Sequence, residues 1–190
     1  MVKPDPVVSS SHVEFHINGQ KHSVDASSNV SSQSVLADYI RDVANLKGTK
    51  VMCREGGCGA CTVSARVIDP VTGIEVIKSI NSCLTPVLSC DGWDVSTVES
   101  LGNKHEGYHV IQKRIVNFHG TQCGYCTPGM VMNMYSLLGA KKDIQMEDVE
   151  KSLDGNICRC TGYRPILDAF KSLATDASND LKQKCSDIEV

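Results

Sequence analysis

The sequence predicts an α+β protein in two parts: a β-grasp-like portion over residues 12–98, then an all-α, four-helix-bundle-like portion over residues 99–174. Three observations carry this expectation. The N-terminal half is written in short runs of β-branched residues, some alternating apolar with polar. From about residue 107 the apolar spacing lengthens to that of a helix. The cysteines fall into two sets, one in each part. A length of 190 residues suits one medium domain or two small ones.

The elements follow in order. Residues 1–11, with Pro4, Pro6 and a serine run, are expected to be disordered. Val13-Glu14-Phe15-His16-Ile17 alternates as a strand, Asn18-Gly19 is the type I′ hairpin pair, and 20–25 is the returning strand. The serines of 27–34 offer N-caps to a helix carrying Val35, Leu36, Tyr39, Ile40 and Val43, with Gly48 as its stop. After a cysteine-rich loop, 62–68 and 74–80 read as strands joined by the turn Asp69-Pro70-Val71-Thr72-Gly73, with short strands at 84–88 and 93–98. Residues 100–106 connect to the helical part. Its first helix, 109–118, places Ile111, Ile115 and Phe118 on one face. Thr127 reads as an N-cap with Pro128 at the first position of a helix running through Met130, Val131, Met134, Leu137 and Leu138. An amphipathic helix follows at 146–153, ended by Asp154-Gly155, and Pro165 opens a last one carrying Ile166, Leu167, Ala169, Phe170 and Leu173. Residues 175–190 are polar and read as a tail or linker. The two cysteine sets differ in spacing, so no internal duplication is inferred.

Composition excludes several classes. With 41% hydrophobic and only 5% aromatic residues, the cores are real but small, and bound metal would add to stability. A net charge of −3 with interspersed signs offers no nucleic-acid-binding or polybasic membrane face. No apolar run is long enough to span a bilayer, the N-terminus has no signal-peptide core, and the chain ends Ile188-Glu189-Val190, not in a peroxisomal signal. A cytoplasmic location is the default expectation.

Ten cysteines without a secretory signal argue for metal rather than disulfides. In Cys53-Arg54-Glu55-Gly56-Gly57-Cys58-Gly59-Ala60-Cys61, answered by Cys83, four residues and then two separate the first three cysteines. This is the plant-type ferredoxin ligand spacing of a [2Fe–2S] cluster. Gly56, Gly57 and Gly59 suit a loop that bends sharply and turns amides toward anionic sulfur. Structural zinc is the alternative, but zinc favours closer pairs without a glycine-rich gap. Cys123-Gly124-Tyr125-Cys126 and Cys158-Arg159-Cys160 form the second set, and here spacing alone leans to zinc. Against that, the helix begun at Thr127 would direct its positive end at an anionic cluster. Cys90 and Cys185 are left as free thiols. The six histidines are scattered and read as solvated or capping groups, Arg159 and Arg164 as structural, and Met130, Met132 and Met134 as helix packing. No Ser-His-Asp set, paired carboxylates or phosphate loop stands out.

The first loop, together with Gly120-Thr121-Gln122-Cys123-Gly124-Tyr125-Cys126-Thr127-Pro128-Gly129-Met130 and Gly155-Asn156-Ile157-Cys158-Arg159-Cys160-Thr161-Gly162-Tyr163-Arg164-Pro165, resembles the iron–sulfur portion of molybdenum hydroxylases. This is the xanthine dehydrogenase and aldehyde oxidase family, and the resemblance covers about residues 12–174. Arg54 and the stretch from Gly102 through His109 resemble insect-type aldehyde oxidases more closely. The resemblance implies a plant-type ferredoxin-like domain holding one [2Fe–2S] cluster on Cys53, Cys58, Cys61 and Cys83. It implies a second [2Fe–2S] cluster, not zinc, on Cys123, Cys126, Cys158 and Cys160 of the helical domain. Gln122 and Cys160 would contact molybdopterin. Electrons would pass from molybdopterin through the helical-domain cluster and the ferredoxin-type cluster to FAD, with molybdopterin and FAD held by other domains or subunits. No residue of this chain is expected to be catalytic, and no substrate turnover is expected from it alone. It would be the N-terminal piece of a longer enzyme, a small subunit, or a stand-alone protein; a homodimer is expected only of the full enzyme. The alternative function is a non-enzymatic iron–sulfur carrier, sensor or scaffold.

Overall fold

The computed structural model describes residues 12–25, 28 and 30–183. The expectation of disorder at 1–11, the end of the polar tail and Cys185 lie outside them. Strands β1 (His12–Ile17) and β2 (Gln20–Asp25) form an antiparallel hairpin, with Asn18 and Gly19 both at positive φ as a type I′ turn requires. Strands β3 (Thr62–Ile68) and β4 (Glu75–Asn81) form a second hairpin. Strand β5 (Asp94–Ser96) inserts between them, parallel to β1 and antiparallel to β3, giving the order β2-β1-β5-β3-β4. The Asn18 side chain clamps this closure: it donates to Thr97 Oγ1 (2.9 Å) and accepts from the Thr97 amide (2.8 Å).

One sheet face buries Phe15, Ile17, Val24, Val63 and Val95 against Leu36, Ile40 and Val87. Across the β3–β4 end of the other face lies α3 (Thr127–Ala140), where Gly139 meets Ile77. Covered on both sides, β3 buries Thr62, Val63, Ser64 and Ala65 in succession. Helix α3 also centres the second core, formed with α2 (Val110–Asn117), α4 (Met146–Ser152) and α5 (Arg164–Lys171). A helix wanted on several sides is apolar all round, and Met130, Val131, Met132 and Met134 are all buried. No helix among the described residues is long and apolar enough to cross a membrane.

Several sequence expectations change in detail. The helix expected from Val35 is one α-turn, α1 (Leu36–Asp38), continued by a π-turn at Tyr39–Val43. It stops before Gly48 because Asn45 takes φ +56°. None of the described serines caps it; Ser31 and Ser34 bond each other instead. Residues 84–88 form no strand. Pro86 lacks an amide, makes a single bridge to Val35, and is followed by a 3-10 turn at Val87–Ser89, which ends at Cys90. Helix α3 begins at Thr127 with Cys126, not Thr127, in the cap position. A short helix α6 (Asn179–Gln183) lies within the stretch read as tail or linker, its Leu181 packed on the helical core.

Candidate metal centres

The register of the β3–β4 hairpin builds the first centre. Thr62 pairs with Asn81, so Cys61 just before β3 and Cys83 just after β4 arrive at the same end of the sheet. Ser82 locks them there, its hydroxyl donating to the Cys61 carbonyl (2.6 Å). The residues between Cys61 and Cys83 are thus one hairpin, and the spacing is a strand length counted twice. Cys53 and Cys58 come from the preceding loop, which the Asn81 amide holds through the Gly56 carbonyl (3.0 Å). Cys58, Cys61 and Cys83 are buried and Cys53 half-buried. The Glu55 amide, the Cys58 thiol and the amides of Cys58 and Gly57 bring Cys53 down to about 7. Burial first, then the neighbouring Cys61 thiol, pushes Cys83 up to about 11. Of the three loop glycines, Gly56 and Gly59 take positive φ; Gly57 does not, and Arg54 does so in its place at +59°.

The second centre gathers the loop before α3 and the irregular segment between α4 and α5. Its cysteines line a cavity of about 190 Å³ together with Gln122, Met52, Tyr125 and Arg159. Cys158 is buried, Cys126 half-buried, and Cys123 and Cys160 exposed. Burial and then the Cys158 thiol push Cys126 up to about 12. Burial is also the largest influence on Cys158, but the Thr161 hydroxyl (3.1 Å) and amide and the Cys160 amide outweigh it and leave that thiol lowered. The Tyr125 amide, with the Cys160 thiol, lowers Cys123, and the Cys123 thiol in turn raises Cys160.

Within each centre the thiols influence one another: Cys58 acts on Cys53, and Cys61 and Cys53 on Cys83, while Cys160 and Cys158 act on Cys123, and Cys158 and Cys123 on Cys126. The all-sulfur donor sets, with amides turned toward the sulfurs, fit [2Fe–2S].

The two centres meet at a tight seam. The Ile157 amide donates to the Cys58 carbonyl (2.9 Å), the Asn156 side chain to the Gly59 carbonyl (3.0 Å), and the Tyr125 hydroxyl to the Val51 carbonyl (2.7 Å). Gly129 of α3 lies so close that a Cβ there would collide with the Gly59 carbonyl. The structure thus brings each predicted set of four together and puts Gln122 beside the second. Sequence reasoning missed Asn156, Asn133, Tyr125 and the Arg54–Asp38 pair. Asn156, Gly129 and Tyr125 stood inside the quoted motifs, and only that adjacency could have flagged them. Cys90 is buried, its thiol pushed up to about 12 by burial, and lies in the sheet core rather than in either centre.

Comparison with known proteins gives concordant matches. Residues 15–88 match the family described as 2Fe-2S iron-sulfur cluster binding domain, and residues 97–171 the family described as [2Fe-2S] binding domain. The chain is 41% identical over 181 residues to xanthine dehydrogenase of Drosophila pseudoobscura pseudoobscura, covering 94% of this chain and 13% of that protein. It is 44% identical over 171 residues to abscisic-aldehyde oxidase of Arabidopsis thaliana, covering 86% and 12%. It therefore spans about an eighth of the curated relatives it matches. A chain in the crystal structure of quinoline 2-oxidoreductase from Pseudomonas putida 86 superposes with a TM-score of 0.70 at 30% identity, covering 91% of this chain and 94% of that one.

Proposed function

This chain belongs to the iron–sulfur portion of the molybdenum hydroxylases, the family of xanthine dehydrogenase and aldehyde oxidase. On that premise we propose that it carries electrons between molybdopterin and FAD, held on other domains or subunits, in an enzyme oxidising aldehydes or purines. The sheet half, 12–98, is read as a β-grasp, ferredoxin-like domain whose Cys53, Cys58, Cys61 and Cys83 hold one cluster. The helical half, 99–174, is read as a four-helix-bundle-like domain whose Cys123, Cys126, Cys158 and Cys160 hold the other. When bound, each [2Fe–2S] cluster accepts and releases one electron.

The seam is the observation that carries this reading. Cys58 and Cys158 are joined by backbone through the hydrogen bond from the Ile157 amide to the Cys58 carbonyl (2.9 Å). Two ligand loops in direct contact suit relay, since they hold the centres at a constant separation. The chain's own groups favour an added electron. Amides of Glu55, Gly57 and Cys58 face Cys53, and the N-terminus of α3, begun at Thr127 after Cys126, directs its positive end toward the second centre. Direction is supported by exposure. Cys123, Cys160 and Gln122 open outward beside the exposed Tyr125, Ile157 and Tyr163, which suits contact with a molybdopterin-bearing partner.

The test is iron and acid-labile sulfide analysis of the purified chain, with electron paramagnetic resonance after reduction. About four irons and four sulfides per chain and two distinguishable signals are expected, from one two-iron cluster per cysteine set. Zinc without labile sulfide would sink the reading.

A further inference from the structure

The two ligand loops do not depend on each other equally. The ferredoxin-type loop is fastened from its own half: Ser82 holds the Cys61 carbonyl (2.6 Å), Asn81 the Gly56 carbonyl (3.0 Å), Thr62 the Gly59 carbonyl (2.8 Å), and Asp38 the Arg54 guanidinium. The segment 154–160 belongs to no helix or strand. Its local anchors are the Asn156 amide to the Leu153 carbonyl (3.0 Å) and the Cys158 amide to the Tyr163 hydroxyl (3.0 Å). Within the helical half it is also held by Asn133 on the Asn156 side chain (2.7 Å) and by Thr161 on the Cys158 thiol (3.1 Å), and two further anchors reach across the seam to the Cys58 and Gly59 carbonyls.

Asn156 is the side chain that makes this reach, and it is 5% exposed. Its Oδ1 accepts from Asn133 Nδ2 of α3 (2.7 Å), and Asn133 also donates to the Ser152 carbonyl. With the oxygen thus engaged, the Asn156 amide nitrogen points at Gly59. There it meets the carbonyl of a residue at φ +67°, where an added Cβ would strike the Asn156 side chain. The relay Asn133–Asn156–Gly59 is buried, and a hydrogen-bonded network of buried groups favours a single geometry.

We infer that the centres assemble in order, the ferredoxin-type loop acting as the template on which the Cys158 and Cys160 segment closes, with Asn156 as the positioning residue. This rests on the reading of both cysteine sets as cluster ligands. A loop gripped by its own sheet can close around its cluster with the seam open, whereas the second segment lacks two of its anchors until Cys58 and Gly59 are in place.

The experiment compares the full chain with Asn156→Ala, Cys53→Ser and Cys160→Ser, scoring iron, labile sulfide and the two resonance signals separately. Asn156→Ala keeps all ten cysteines, leaves Gly59 bonded to Thr62 and Asn133 bonded to Ser152, and in the sheet half removes only the seam bond to the Gly59 carbonyl. It is expected to keep the ferredoxin-type signal and to lower the helical-site signal by about tenfold, the order expected for the two buried hydrogen bonds lost, to Gly59 and to Asn133. Cys53→Ser should lose the first signal and weaken the second, whereas Cys160→Ser should lose only the second. Asn156→Ala with both signals intact, or with both reduced alike, overturns the proposal, as does Cys53→Ser with a full helical-site signal or Cys160→Ser without the ferredoxin-type one. A wild-type chain without labile sulfide defeats the cluster reading itself, which separates the two failures.

Discussion

Arg54 lays its guanidinium on the carboxylate of Asp38 through two hydrogen bonds of 2.9 Å each, while its own backbone sits at φ +59°. The two features oppose each other. A non-glycine residue in this conformation costs about 1 kcal/mol, and a pair with both side chains this exposed and screened by solvent returns little of it. Arg54→Gly loses the pair but relieves the backbone and is expected to be as stable as wild type or slightly more so. Arg54→Ala loses the pair, keeps the strain and should fall about 1 kcal/mol below the glycine variant. Chemical denaturation of the loaded proteins measures the difference, and alanine matching or exceeding glycine would deny the left-handed backbone.

Gly129 and Gly139 sit in the same helix and should respond in opposite ways to alanine. In an open helix either change would stabilise by about 1 kcal/mol. At Gly129 the new Cβ meets the carbonyl of Gly59 and the backbone of Ala60, which cannot yield without opening the seam. A net loss of about 2 kcal/mol is expected there. At Gly139 the obstacle is the far end of the Ile77 side chain, which can rotate away. Thermal melts should show Gly129→Ala clearly destabilised and Gly139→Ala within about 0.5 kcal/mol of wild type.

His109 is expected to make the helical half acid-sensitive. Its Nδ1 accepts from the Ile111 amide (3.3 Å) to cap α2, the ring meets Tyr135 edge-on, and Arg66 and Asp94 line the same 380 Å³ cavity. Burial holds the imidazole below its ordinary value near 6.5. As pH falls past about 6.5 the unfolded chain takes up a proton that the folded one refuses. Stability is therefore complete above that pH and is lost as pH falls toward the lowered folded value, where the cap breaks as well. His109→Asn keeps a capping acceptor and removes the proton. It should match wild type at neutral pH within about 0.5 kcal/mol and lose less stability by pH 5. An unchanged slope in pH-dependent denaturation would exclude His109 as its source.

Cys90 tests whether burial or ligation explains a cysteine. It packs against Val87 and Val95 in the sheet core and is 0% exposed. Cys90→Ala should cost about 1 kcal/mol through the small void it leaves and should leave iron and sulfide per chain unchanged. Loss of iron would bring Cys90 into the ligand set.

The division into a strand-rich half and a helical half, both hairpin turns, and the two sets of four cysteines were legible in the sequence. Each rests on local chemistry. Asn18-Gly19 accepts positive φ wherever it occurs, β-branched runs pleat, and closely spaced cysteines share a loop regardless of what surrounds them. Capping was less legible. The serines before Val35 and the threonine before Pro128 have the right side chains, yet a cap also needs the chain to enter the helix at a particular angle, and packing sets that angle.

What the sequence determined by itself was the grouping of the cysteines into two sets and the elements that carry them. Tertiary structure alone decided how the two centres meet. Gly59, Gly129 and Asn156 lie far apart along the chain, and their contacts exist only because α3 lies across β3 and β4 while the 154–160 segment turns back onto the first loop. Nothing in the local propensity of an asparagine encodes its partner. That choice is made by the burial of α3 between two cores, which leaves the Asn156 amide facing one carbonyl.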